Sequence, residues 1–123
     1  MGRYTFGKNE RLSKEKHIQE LFDKGSSFYF FPFKVFFMPH PDPAPPAHQV
    51  LVSVSKRNFK RAVDRNLIKR RIREAYRLNK ERFPAQNKLL IAYIYSVKDI
   101  LPSAQIQERL VKTIKRFDYV EKN

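Results

Sequence analysis

Apolar residues recur along this chain with two different periods, and the changes from one to the other mark out its elements. In "SKEKHIQELFDKG" (13–25), Ile18, Leu21 and Phe22 fall at i, i+3 and i+4, which predicts a helix with one narrow apolar face. Ser13 is placed to cap it, Glu15 lies in its first turn, Lys24 in its last, and Gly25 marks its end. "SSFYFFPFKVFFMP" (26–39) is dense in aromatic residues and reads as two strand segments, 26–31 and 33–38, bent at Pro32. Side chains alternate along a strand, so Phe33, Val35 and Phe37 share one face while Lys34, Phe36 and Met38 share the other.

Residues 39–48 hold five prolines in ten positions, which predicts a stiff, extended loop. "QVLVSVS" (49–55) alternates as a strand does. "KLLIAYIYS" (88–96) is almost uniformly apolar, the pattern of a strand covered on both faces. Between them lies a helix from about residue 64 to 82, with Pro84 beyond it as a stop. A last helix begins at Ser103, with Ile106, Leu110, Val111, Ile114 and Phe117 as its apolar stripe. The order α-β-β-β-α-β-α predicts an α/β (α+β) two-layer sandwich. One domain spans 1–123, with 1–12 as an N-terminal arm and 39–48 as a proline-rich loop.

Charge changes this picture from a generic small fold to one with a partner. The chain carries 26 Lys and Arg against 12 Asp and Glu, a net +14. An excess of this size repels itself in the compact state and points to a polyanion, either nucleic acid or an anionic membrane surface. Residues 55–82 contain twelve basic and three acidic side chains, and so carry nine of the fourteen net charges. On a helical projection Asn66, Lys69, Arg70, Arg73, Arg77 and Lys80 gather on one side with Arg65 at its border. Leu67, Ile68, Ile72, Ala75 and Leu78 gather on the other, and only Arg71 intrudes there, where its stem can snorkel. A merely solvated face mixes signs. This one is a run of cations, rich in Arg, which suits planar bidentate contact with phosphate.

The aromatic strands favour RNA over a DNA groove. An apolar sheet face carrying Lys34 is an odd core but a reasonable platform for stacking unpaired bases beside phosphates; the alternative of equal standing is that helices pack both faces and Lys34 snorkels. Most of the eleven phenylalanines must nevertheless be core.

Other chemistries find little support. There is no cysteine, hence no disulfide or thiolate site, which fits a cytoplasmic protein. The sequence shows neither a signal-peptide pattern nor an apolar run long enough to span a membrane. His17, His40 and His48 lack metal-ligand spacing and read as surface residues, and the acidic residues are scattered singly. No protein catalytic residue and no protein metal site is expected.

"VSVSK" followed by "AVDRNLIKRRIREAYR" resembles the signature of the bacterial ribonuclease P protein component, an Arg-Asn-Arg helix after a strand, and "NERLSKEKHIQELFDKG" is similar to that family's first helix. The likeness runs from about Lys8 to Val120. It implies the ribonuclease P protein-like fold with a left-handed β-α-β crossover, against the usual right-handed rule. It also implies a catalytic RNA partner that removes the 5′ leader of precursor tRNA with Mg2+ held mainly by that RNA, no membrane and no obligate protein partner. On the family's pattern Lys56, Arg57, Lys60, Arg61, Arg65, Asn66, Lys69, Arg70, Arg73 and Arg77 face the RNA subunit. Ile18, Phe22, Lys34 and Phe36 line the leader cleft. Leu67 stands where the motif has its second Arg, and Ile18 where an aromatic is usual. Two other readings share the basic helix: a structural RNA-binding protein of the ribosome, and a duplex-DNA binder, which needs a dimer or a second recognition element.

Overall fold

In the computed structural model, which describes residues 7–45, 47–84 and 87–121, the two apolar periods become a sheet and its covering helices. The elements are α1 (Glu15–Lys24), β1 (Ser26–Phe30), β2 (Phe33–Pro39), β3 (Gln49–Val54), α2 (Ala62–Asn79), β4 (Leu89–Tyr95) and α3 (Ser103–Glu121), with short 3-10 turns at Lys8–Glu10 and Lys80–Arg82. The sheet order is β1-β2-β4-β3. β1 and β2 form an antiparallel hairpin through the cis Phe31–Pro32 peptide, so Pro32 turns the chain back where the sequence suggested only a bend. β2 runs antiparallel to β4, and β3 parallel to β4, with α2 making the crossover between them.

The alternation of β2 holds: Phe33, Val35 and Phe37 are buried, Lys34 is exposed, and Phe36 and Met38 are half-buried. Phe33, Val35 and Phe37 join Val50, Val52, Val54, Ile91, Tyr93 and Tyr95 beneath α2 and α3. α2 contributes Ile68, Ile72 and Tyr76 to this core, and α3 contributes Ile106, Leu110 and Phe117. β4 is covered on its second face too, where Leu90 and Ala92 pack with Leu21 of α1, Leu12, and the half-buried Ile18, Phe36, Met38 and Leu51. That double cover explains its unbroken apolar run. Tyr93 Oη and Thr113 Oγ1, 2.8 Å apart, satisfy each other inside the core.

Several local expectations change. Lys14, not Ser13, is the N-cap of α1, and it makes no side-chain capping bond. Gly25 ends α1 with an ordinary negative φ; its use is space, since a Cβ there would collide with the Leu21 carbonyl oxygen and stand 3.1 Å from that of Phe37. Residues 7–12 are no loose arm. Glu10 and Leu12 are buried, Arg11 bridges to Val50, and the Leu12 N–H donates to the Val50 carbonyl at 3.0 Å. Residues 1–6 of the predicted arm lie outside the described residues.

His17 and His48 are buried rather than on the surface, because the proline-rich loop folds back over the sheet end. His48 donates from Nε2 to the Pro84 carbonyl at 2.6 Å and accepts at Nδ1 from the Leu89 N–H at 2.9 Å. Burial pushes its pKa down from 6.5 to about 4, against the raising effect of the Pro84 bond. His40 accepts the Asp42 N–H and donates to Gln49, while its ring meets that of His17 edge-on at 5.3 Å. These contacts tie the loop to α1.

Candidate nucleic-acid interface

α2 is the element that separates core from charge. Its buried side, Ile68, Ile72, Ala75 and Tyr76, is apolar apart from Asn79, whose amide donates to the Ala75 carbonyl at 2.8 Å. Asn66 and Arg70 are exposed, while Lys69 and Arg73 are half-buried. These four side chains make no hydrogen bond or ion pair among the described residues. Arg73 lies near Arg11, and its pKa is lowered first by burial and then by the Arg11 charge. Two neighbouring cations, one partly desolvated, repel in the free protein, and an anion seated between them relieves that repulsion.

Other cations of the predicted face are committed within the fold. Arg65 donates from Nη1 to the carbonyls of Phe59 (2.8 Å) and Lys60 (3.0 Å), so it braces the turn before α2 as well as bordering the charged face. Arg77 holds Glu74 through Nε at 3.1 Å and through Nη2, which puts an acid beside a run that looked purely cationic. Lys80 turns to Glu10 at 2.9 Å and anchors the segment before α1. Arg71 reaches past the apolar side to the Leu101 carbonyl at 2.7 Å, the snorkelling its position required. Leu78, assigned to the apolar side, is 43 % exposed.

The turn between β3 and α2 keeps its basic side chains outward by sinking one aromatic. Phe59 is buried in the main core and its N–H donates to the Ser55 carbonyl at 3.1 Å. Lys56, Arg57, Lys60 and Arg61 are exposed around it. They lie in the turn that leads directly into α2.

On the other side of the sheet α1 leaves part of the surface open. Phe22, 39 % exposed, meets Phe36 edge-on at 4.8 Å, and Lys34 Nζ lies 5.8 Å from the Phe36 ring centre. Ile18 sits deeper, against the Leu21–Leu90 cluster. Strand pairing sets Tyr29, Lys34, Ile94 and Ser53 in one row across the four strands, next to the row of Phe36, Ala92 and Leu51. The four residues predicted for a cleft thus lie together, and Tyr29, 54 % exposed, extends the aromatic surface in a way the sequence reading missed. Its signal was present: it alternates with Phe28 and Phe30 and pairs with Lys34.

The fold and these surfaces define a class, a small basic α+β protein with one cationic helical face and a part-exposed aromatic patch beside α1. The family model for Ribonuclease P matches residues 6–118, and the chain belongs to the ribonuclease P protein family. It is 38 % identical over 114 residues to the ribonuclease P protein component of Porphyromonas gingivalis, covering 88 % of this chain and 83 % of the relative. To the protein component of Petrotoga mobilis it is 40 % identical over 80 residues, 65 % of this chain and 64 % of that one. The RNase P protein of Staphylococcus aureus superposes with a TM-score of 0.69 at 26 % identity, covering 89 % of this chain and 94 % of that chain. The Thermotoga maritima protein gives 0.73 at 25 % identity, covering 87 % and 96 %. Ribonuclease P is an endoribonuclease of tRNA processing, and the chain is of the kind that forms its protein component.

Proposed function

We propose that this chain, acting as one RNA-binding domain, joins a catalytic RNA through the α2 face and receives the 5′ leader of precursor tRNA in the cleft between α1 and the sheet. It thereby promotes the cut that gives the mature 5′ end. The observation that carries this reading is the division of α2. The same helix that fills the core with Ile68, Ile72 and Tyr76 leaves Asn66, Lys69, Arg70 and Arg73 without partners among the described residues. A folded RNA supplies the closely spaced phosphates such a face needs.

In this reading the RNA supplies the reacting site and holds the Mg2+ that serves the hydrolysis. No step is assigned to a metal held by the protein itself. The chain's own residues bind and orient. The guanidinium groups of Arg70 and Arg73 neutralise phosphates of the RNA subunit, while Phe22, Phe36 and Tyr29 offer ring faces to unpaired leader bases, with Lys34 beside them for a phosphate. The complex is cytoplasmic and needs no further protein. No helix among the described residues is long and apolar enough to cross a membrane.

The test is cleavage of precursor tRNA by the cognate catalytic RNA at low Mg2+, with and without the protein. Stimulation with the correct 5′ end is the expected result. No stimulation by folded protein overturns the reading, and tight binding to ribosomal RNA in that case would move the chain to a structural role there.

A further inference from the structure

The aromatic residues of β1 divide between the two sides of the sheet. Tyr29 stands in the cleft row beside Lys34, whereas Phe28 and Phe30 face α3. There the Arg116 guanidinium lies 4.6 Å over the Phe28 ring, and that of Arg109 lies 5.7 Å and 5.6 Å from the rings of Phe30 and Phe31. Arg109, Lys112 and Arg116 are spaced to form one stripe along α3, about 10 Å long at 1.5 Å rise per residue. They lie apart from the residues α3 gives to the core, Ile106, Leu110, Ile114 and Phe117.

Stacking occupies the flat face of a guanidinium and leaves its N–H rim free. Neither guanidinium makes a hydrogen bond among the described residues. Arg109 Nε has no hydrogen-bond partner although buried, and its nearest acid, Glu108, is 3.9 Å away. The two arginines are thus held in place by rings; Arg109 Nε is itself shut off from solvent, while the rest of that side chain is part-exposed and Lys112 and Arg116 are exposed, so a phosphate can reach the stripe from outside. β1 is an edge strand, paired with β2 alone. A chain leaving the cleft at Tyr29 therefore meets this stripe after crossing one strand edge, past the exposed Phe31.

We propose that Arg109, Lys112 and Arg116 bind phosphates of the single-stranded leader upstream of the nucleotides held in the cleft, after the RNA has crossed the β1 edge. The inference rests on the cleft being the leader site. It adds a second leader contact, far from the nucleotides next to the cut, that reads length and charge rather than base identity.

The experiment measures binding of the reconstituted holoenzyme to mature tRNA, to a precursor whose short leader ends within the cleft, and to one whose leader is long enough to pass the strand edge. With the unaltered protein, affinity is expected to rise at each step. With Arg109→Gln/Arg116→Gln, or with Lys112→Gln, the short-leader gain stays and the long-leader gain shrinks. The salt dependence of that gain should flatten by roughly 0.7 in log–log slope for every phosphate no longer neutralised. Should the double variant melt well below the parent, Lys112→Gln, an exposed change, decides the matter alone. A long-leader gain that is absent from the unaltered protein, or undiminished in the variants, overturns the proposal. Loss of the short-leader gain in the unaltered protein is a different failure. It removes the cleft reading on which the proposal rests, and it is told apart from failure of the stripe because it shows with the short leader and without any substitution on α3.

Discussion

Phe22 of α1 and Phe36 of β2 meet edge to face with their ring centres 4.8 Å apart, and both keep part of their surface in solvent. A part-exposed aromatic pair can serve packing or stacking, and one substitution separates the two. Phe36→Ala is expected to weaken precursor tRNA relative to mature tRNA by about 1–3 kcal/mol, the worth of a stacked base. Equal loss for both substrates, or a lowered melting temperature with unchanged discrimination, would return Phe36 to the core.

Arg70 is exposed, and Arg73 shares its surroundings with Arg11. Arg70→Ala and Arg73→Ala should each weaken binding of the RNA subunit and flatten its salt dependence, by roughly 0.7–0.9 in log–log slope if each arginine neutralises one phosphate. Filter binding over a salt series reads this directly. Arg65→Ala should behave otherwise, lowering thermal stability as well, since the carbonyls of Phe59 and Lys60 lose their donor. Identical slopes for parent and both α2 variants would contradict phosphate binding by this face.

The His48 pocket makes stability depend on pH. The neutral ring accepts from Leu89 N–H and donates to Pro84, so a second ring proton would face a donor. Because the folded pKa, about 4, lies below the ordinary 6.5, the unfolded chain takes up the proton first. Stability from this group is complete above about pH 6.5 and is lost as pH falls toward 4, by up to about 3 kcal/mol. Urea unfolding at pH 7 and pH 5 tests it. A His48→Asn variant should show a flatter profile, and an unchanged profile would assign the pH dependence elsewhere.

Gly25 closes α1 against β2. Gly25→Ala should destabilise the fold by about 1–3 kcal/mol, since the added methyl meets the Leu21 and Phe37 carbonyl oxygens rather than a yielding side chain. Denaturant titration gives the value, and an unchanged midpoint would show that α1 can shift without loss.

Much of the architecture was legible because it is written in local periods. The alternation of β2, the double cover of β4 and the amphipathic split of α2 each follow from side-chain direction alone. Strand order is not, for nothing within "QVLVSV" says that it pairs parallel to residues forty positions later. The histidines were misplaced for the same reason. Burial of His48 depends on Pro84 and Leu89, which only the folded loop brings to it. The charged face was legible as a surface but not in detail. Arg65, Arg77 and Lys80 look the same as Arg70 in a helical projection, and only the positions of Phe59, Glu74 and Glu10 show which cations are already engaged.

α2 is both the wall of the core and the bearer of the free cations, and it forms the crossover between two adjacent parallel strands. Its backbone amides should therefore exchange with solvent only when the whole domain opens, and any ligand on its charged face must report on that opening. An RNA present at a hundred times its dissociation constant would slow their exchange by close to the full linkage of about 2.7 kcal/mol. A ligand on that face would therefore raise the stability of the whole domain rather than of one helix.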